Sequence, residues 1–200
     1  MTRYDRITSS MTNYWGSIAS DIVCSLTLLI AGFSLGTPGA SCVAFLGGTL
    51  WYSLCEYSIH RWIYHGERNA AAEIHDRHHG EPRVIIGAPF YYSLSICGLH
   101  GLAIGAIFGV GAGLVFGGAM LFSFVQQSLV HHSAHRYPHV DILGVRSSLR
   151  RHHALHHAIG NGNYGMSTTL WDRVFGTLVT ARPRDNQRDA CGHPRPTTSS

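Results

Sequence analysis

Two long runs without a charged side chain divide the sequence into apolar segments. The first run extends from Ile22 to Cys55 and the second from Val84 to His135. Because about 20 apolar residues cross the hydrocarbon core of a bilayer, each run is long enough for two helices joined by a short turn. Thr37-Pro38-Gly39 and the glycine-rich stretch 105–113 are the expected turns. The pattern predicts an all-α, integral membrane four-helix bundle with transmembrane helices near residues 14–35, 40–63, 86–108 and 112–132.

The arginines predict how this bundle is oriented. Every arginine lies in residues 1–16, 61–83 or 136–195, and none lies in a predicted turn. By the positive-inside rule, these segments and both termini are expected in the cytoplasm. Residues 1–16 are then an N-terminal cytoplasmic segment and 17–181 the membrane domain. Residues 182–200 are expected to be a disordered tail, since that stretch is rich in Pro, Arg, Ser and Thr. No nucleic-acid partner is expected, because the arginines do not form a basic face with stacking aromatics.

Histidine is the residue type whose spacing indicates chemistry. The chain has 15 histidines in 200 residues, and ten of them form two parallel sets, each a pair followed by H-x2-H-H. The sets are His60, His65, His75, His78 and His79, and then His131, His135, His153, His156 and His157. In a helix, positions i, i+3 and i+4 share one face. Clustered imidazoles would repel one another if protonated, so a bound metal that favours the neutral form is predicted.

The number of donors indicates two metal ions. Two ions with five or six positions each need about ten to twelve donors, whereas one structural zinc would use four. Residues that orient or shield the ligands are expected nearby. The candidates are Glu56, Glu73, Asp76, Tyr164 and Asp172, with Glu56 one helical turn before His60. His132, His139 and His152 fit neither set and are expected to be spare.

The four histidine motifs, taken in order, resemble those of the membrane fatty acid hydroxylase superfamily, which also includes sterol desaturase-like enzymes. The motifs are H-x4-H from His60, H-x2-HH from His75, H-x3-H from His131 and H-x2-HH from His153. Asn163-Tyr164-Gly165 and the segment 171–177 also resemble that family's closing segment. Within the superfamily, the spacing is most similar to that of fatty acid 2-hydroxylases, which act on ceramide or acyl chains.

The resemblance implies a cytoplasmic, histidine-rich helical cap that holds two iron ions, although zinc could occupy the site in purified protein. Such an enzyme would use O2 and two electrons to insert oxygen into a C–H bond of a membrane lipid or fatty acyl substrate. Because the cap is expected at head-group level, the carbon is expected near the head-group end, most simply C2. The sequence lacks the haem-binding His-Pro-Gly-Gly motif of relatives with a fused cytochrome b5-like domain. A separate electron donor is therefore expected: a cytochrome b5-like protein, a ferredoxin or a reductase.

Two alternatives stay open on the sequence. One is a sterol or lipid desaturase, or a carotenoid-type hydroxylase, of the same superfamily. The other is a metal transporter or a metal-binding membrane protein. Transport calls for ionisable residues within the spans, whereas three of the four predicted helices carry little beyond Asp21, His100 and the pair Gln126-Gln127. The pattern therefore favours an enzyme.

Overall fold

Helices account for the regular secondary structure of the computed structural model, which describes residues 3–85, 87–137 and 145–180. The helices are α1 (Arg3–Thr8), α2 (Met11–Leu35), α3 (Pro38–Ser58), α4 (Ala70–Gly80), α5 (Phe90–Phe108), α6 (Val110–Arg136), α7 (Val145–Ile159) and α8 (Leu170–Val174). Helix α3 continues directly into a π-helical turn, Ile59–Tyr64. Since no strand occurs in these described ranges, the predicted all-α class is confirmed there.

Short turns separate the paired long helices. Helix α2 ends at Leu35, and α3 begins at Pro38. Thr37 is the N-cap of α3, and its hydroxyl accepts a hydrogen bond from the amide of Ala40. Only Gly109 separates α5 from α6, and its φ of 95° is a conformation that glycine adopts readily. Counting the π-helical turn with α3, the observed ends lie within a few residues of the expected transmembrane bounds. The expected start at residue 86 and the expected tail, 182–200, lie outside the described residues.

Three helices in the described part of the chain are long and apolar enough to cross a membrane: α2, α5 and α6. Helix α3 does not meet that criterion, because glycine, serine, threonine and tyrosine residues interrupt its apolar sequence. We expected a fourth span there because the run carries no charge, but an uncharged segment is not necessarily an apolar one. The four-span arrangement and the cytoplasmic side of the cap therefore remain predictions.

Helix α6 is the centre of the bundle and packs against α2, α3 and α5. Small residues let the backbones approach closely: a Cβ at Gly48 of α3 would lie 2.5 Å from the carbonyl oxygen of Phe116. Asp21 of α2 is fully buried and accepts hydrogen bonds from the hydroxyls of Ser17 (3.3 Å) and Ser93 (2.9 Å). The buried carboxyl group is thus satisfied within the bundle.

The shorter elements collect at one end of the long helices. The π-helical turn after α3 packs against α4, and α7 packs against α6. His60 lies in the π-helical turn that follows α3, and His131 and His135 lie in the last turns of α6, next to the elements that carry the remaining motifs. The fold therefore places all four histidine-bearing segments together.

Candidate metal centre

Ten histidine side chains meet at this end in two compact groups. Within each group, one ring nitrogen of every residue lies within 4.8 Å of the others. The first histidine group consists of His60, His65, His75, His79 and His156, and the second histidine group of His78, His131, His135, His153 and His157. These are the ten residues whose spacing suggested metal binding. The structure thus brings together every predicted ligand, five to a group.

The two groups do not follow the two parallel sets of the sequence. In each H-x2-H-H motif, the first and last histidines belong to one group and the middle histidine belongs to the other. Accordingly, His78 of α4 joins the second group and His156 of α7 joins the first. On an α-helix, residues i and i+4 point about 40° apart, whereas i+3 lies about 60° to the other side of i. Both α4 and α7 therefore bridge the two groups.

His60 and His65 reach the same group because the helix between them widens into a π-helical turn. The amide of His65 donates a hydrogen bond to the carbonyl oxygen of His60 at 3.2 Å, the i to i+5 bond of such a turn. On a regular α-helix, residues five apart point about 140° apart. His131 and His135 are four apart in α6 and need no adjustment. The turn was not predicted from the sequence, although the four-residue gap between His60 and His65 was its signal.

The distances between ring nitrogens fit one metal ion in each group. Nε2 of His75 lies 3.1 Å from Nε2 of His60 and 2.9 Å from Nε2 of His65. In the second group, the Nε2 atoms of His78 and His131 are 2.8 Å apart. Imidazole donors at right angles around an ion, with bonds of about 2.1 Å, lie about 3.0 Å from one another. Five such donors would leave one position open at a six-coordinate ion.

Burial favours the neutral, metal-binding form of these rings. Burial, reinforced by neighbouring rings, lowers the pKa of His78 and His156 to about 3 and that of His157 to about 2. Nε2 of His157 is buried and has no hydrogen-bond partner among the described residues. A buried nitrogen without a partner costs free energy, so the chemistry of the ring, as well as the spacing, suits a bound cation.

Backbone carbonyl groups orient two rings of the first group. Nδ1 of His60 donates a hydrogen bond to the carbonyl oxygen of Tyr164 (2.5 Å), and Nδ1 of His156 donates to that of Gly162 (2.8 Å). A ring with its proton on Nδ1 presents the lone pair of Nε2 to a metal. We expected carboxylates in this role. The loop after α7 performs it instead, and the Tyr164 ring also packs against His60, His65 and His156.

A buried carboxylate holds this loop in place. Asp172 accepts hydrogen bonds from the amides of Tyr164 and Gly165 (2.8 Å each), the hydroxyl of Thr177 (2.7 Å) and Nε2 of His152 (2.9 Å). Burial alone would raise the pKa of Asp172, but these hydrogen bonds hold it below its ordinary value. Asp172 therefore acts on the rings of His60 and His156 through the loop. His152, which the spacing left as a spare, is its buried partner.

The other candidate carboxylates do not hydrogen-bond to a histidine ring within the described residues. Glu56, expected to reach His60, instead accepts hydrogen bonds from the amides of Met166 (2.7 Å) and Ser167 (3.1 Å), and from the Ser167 hydroxyl (2.6 Å). Glu73 and Asp76 are exposed on α4. Glu56 thus supports the same closing segment as Asp172, from the side of α3.

The remaining histidines have different surroundings. His132 packs against the rings of Tyr14 and Trp15. Nδ1 of His100 donates a hydrogen bond to the carbonyl oxygen of Ile96, within α5 (2.8 Å). His139 and His193 lie outside the described residues. Neither His132 nor His100 belongs to a histidine group.

A cavity of about 200 Å³ lies beside both groups. His75 of the first group and His78 and His131 of the second contribute to its wall. The rest of the wall includes both polar and apolar side chains of α2 and α6, among them Tyr14, Ser17, Ile18, Phe124, Gln127 and Ser128. A molecule in this cavity would therefore contact both groups at once.

Comparison with protein families gives one match that spans most of this architecture. The family described as "Fatty acid hydroxylase" matches residues 45–177, more than half of the chain. That range includes most of α3, both histidine groups and the closing segment around Asp172. The match therefore covers the candidate metal centre in full.

Curated relatives and a solved structure agree with this match. A fatty acid 2-hydroxylase from Homo sapiens is 30% identical over 187 residues, which cover 86% of this chain and 49% of that protein. A dihydroceramide fatty acyl 2-hydroxylase from Arabidopsis thaliana is 27% identical over 183 residues, 84% of this chain and 74% of that protein. The chain thus spans about half the length of the human relative. The structure titled "Full length scs7p (only hydroxylase domain visible)" has a TM-score of 0.70 at 19% identity, covers 90% of this chain and 70% of its own, and so shares the fold.

Proposed function

Because the chain belongs to the fatty acid hydroxylase family, and is a membrane oxidoreductase of that type, we propose that it hydroxylates an acyl chain of a membrane lipid. One atom of O2 enters a C–H bond, at C2, and the other leaves as water, with two electrons and two protons supplied from outside. The observation that carries this proposal is the meeting of two five-histidine groups at one cavity.

We assign an iron ion to each histidine group. Iron with an open coordination position supplies the electron transfer to O2 that this reaction needs, whereas zinc binds imidazole but is not redox-active. The five ring nitrogens of each histidine group would hold one ion. The hydrogen bonds from Nδ1 of His60 and His156 to the carbonyl groups of Tyr164 and Gly162 would leave Nε2 of both rings available to bind the ion of the first group. The Tyr164 ring covers the first group and restricts the access of water there.

The cavity supports a reaction near the carbonyl end of the chain. The cavity of about 200 Å³ lies directly beside His75, His78 and His131. A lipid whose head group stays in the interface would bring its carbonyl group and first few carbons to this site before any carbon from the middle of the chain. Two relatives are named as 2-hydroxylases, one for fatty acids and one for dihydroceramide acyl chains. We therefore propose C2 as the position and a lipid acyl chain as the substrate.

We also infer that the protein is multi-pass and that its metal centre faces the cytoplasm, where a separate electron donor would reach it. The arginine distribution supports this side. A topology reporter at Gly111 is expected outside the cytoplasm, and one at Ser199 inside. The reverse result would place both the metal centre and the electron supply on the other face.

Labelled substrate tests the reaction directly. The protein is produced in host membranes that are supplied with an acyl chain deuterated only at C2, and the lipids are analysed by mass spectrometry. We expect the product to lose one deuterium and gain one oxygen. An oxidised product that keeps both deuteriums would place the reaction on another carbon. A loss of two mass units, without added oxygen, would indicate desaturation.

Neighbouring histidines of α6 provide a matched pair of variants. His131→Ala removes a nitrogen of the second group, so bound iron should fall and product should drop more than about 100-fold. His132→Ala removes a ring that packs on Tyr14 and Trp15, and both quantities should be retained. Equal damage in the two variants would contradict the ligand assignment.

A further inference from the structure

The cavity beside the histidine groups has a polar side as well as a metal-facing end. Gln127 lines it from α6, one helical turn before His131, so the two side chains lie on the same face of the helix. Two other polar groups of the wall are already engaged. The hydroxyl of Tyr14 donates to the carbonyl oxygen of Ser128 (3.3 Å), and that of Ser17 donates to Asp21 (3.3 Å).

The carboxamide of Gln127 is held in one orientation. Its Oε1 accepts a hydrogen bond from the hydroxyl of Tyr52 at 3.0 Å. Tyr52 is buried and belongs to a core cluster that includes Phe116 and Met120, so the hydroxyl has little freedom to move. With the oxygen engaged, the two N–H groups of Nε2 remain as donors, and they have no partner among the described residues.

We propose that Gln127 binds the carbonyl oxygen of the acyl substrate and thereby selects the carbon that is hydroxylated. This inference rests on the proposed function and adds to it the residue that sets the position. Four residues of α-helix separate Gln127 from His131 by about 6 Å along the axis. A carbonyl oxygen lies about 2.9 Å from the N–H donor that binds it. C2 is bonded to the carbonyl carbon, so it is the first carbon of the acyl chain that can face the histidine groups when Gln127 holds the carbonyl oxygen. C3 lies one bond farther from that oxygen.

The charge of the cavity wall indicates the class of acyl group. No arginine or lysine lines the cavity within the described residues. A free carboxylate there would have no cationic side chain as a partner among the described residues that line the cavity. A neutral amide or ester carbonyl requires only the N–H donors of Gln127. The uncharged wall therefore fits the lipid acyl chain proposed above better than a free fatty acid, and the new element of the proposal is the role of Gln127.

Replacing the amide while keeping its size tests this role. Gln127→Met removes the donors, and Gln126→Met is the matched control, because Gln126 is its neighbour but does not line the cavity. Both variants are assayed in membranes with an N-acyl lipid deuterated at C2, and bound iron is measured in parallel. We expect Gln127→Met to keep its iron, lose C2 product about tenfold, and form a larger share of C3 product. Gln126→Met should match the unmodified protein.

The outcomes separate this inference from the proposed function. If the unmodified protein forms no hydroxylated lipid, the proposed function itself fails. If it forms C2 product and Gln127→Met matches Gln126→Met in amount and position, only the role of Gln127 is overturned. Loss of iron in Gln127→Met alone would make the residue a structural one and would also overturn that role. If Gln127→Met does not accumulate, Tyr52→Phe serves instead: it frees the amide to rotate, and unchanged C2 selectivity in that variant would contradict the proposal.

Discussion

The two histidine groups each contain five rings from equivalent sequence motifs, but they differ in the hydrogen bonds that hold those rings in place. In the first group, His60 and His156 are oriented by carbonyl groups of the loop after α7, which Asp172 holds in place. In the second group, Nδ1 of His78 and of His153 is buried and has no partner among the described residues. The first group therefore depends on hydrogen bonds to a distant segment, whereas the second depends mainly on how α4, α6 and α7 pack.

This difference indicates which changes should affect one group and which should affect both. Hydrogen bonds to the second nitrogen of a metal-bound imidazole fix its tautomer and direction. Damage to the loop should therefore weaken the first ion selectively. Changes that act on the rings themselves should weaken both ions, because both groups are built from buried imidazoles.

Acid should have the largest effect, since it acts on all ten rings. Burial holds the pKa of His78 and His156 near 3, whereas the same rings in the unfolded chain titrate near 6.5. Below about pH 6.5 the unfolded state binds more protons than the folded state. The stability that these rings contribute is therefore fully present above about pH 6.5, and it is lost progressively as the pH falls toward the pKa values of the folded state. Metal affinity also falls as the pH falls, because only the neutral rings bind a metal ion. We expect bound iron and the thermal unfolding temperature to stay constant from pH 8 to 7 and to fall together below about pH 6.

The acid titration also tests whether the two groups are equivalent. Bound iron per chain should decline in one step, because both groups are buried to a similar degree. Release of a single ion over a separate pH range would show that one group is more accessible than the burial of its rings indicates.

The next largest effect is expected at Asp172. Asp172→Asn keeps the shape of the side chain but removes its charge and half of its acceptor capacity, which the amides of Tyr164 and Gly165 and two side chains use. Loss of such a support typically weakens metal affinity about 10- to 100-fold. We expect iron per chain to fall from two toward one, measured by elemental analysis of purified protein. Glu73→Gln, on the exposed side of α4, should retain both ions.

Double variants identify which ion is lost. If Asp172 acts through the first group, Asp172→Asn should remove little further iron once His156→Ala has emptied that group. Combined with His153→Ala, which empties the second group, it should remove most of what remains. Additive losses in both backgrounds would contradict a selective role for the loop.

Sequence spacing singled out the ten histidines that the structure brings together, because ligands must recur on one helix face. The crossing of His78 and His156 between groups was not predictable, since it depends on how α4 and α7 lie relative to each other. The carbonyl support from Gly162 and Tyr164 was also missed, because every residue has a carbonyl group and its use leaves no mark on the sequence. The uncharged run from Ile22 to Cys55 also predicted a span at α3, and that span stays a prediction because the polar and small residues of α3 make it less apolar than α2, α5 and α6.

The smallest of these effects is expected at the π-helical turn, which moves only one ligand. Gly66 follows His65 directly, and a Cβ at this position would collide with the carbonyl oxygen of Trp62 inside the turn. Gly66→Ala should therefore shift the end of the turn, at a cost of about 1–3 kcal/mol in the free energy of unfolding. His65 would move with it, and the first group should bind its ion more weakly while the second is unchanged. Gly80→Ala, at the open end of α4 where no atom lies within 4 Å of the added carbon, is the control. Thermal unfolding and iron content, measured on both variants, decide the point: if Gly66→Ala behaves like Gly80→Ala, the wide turn is not what aligns His60 with His65.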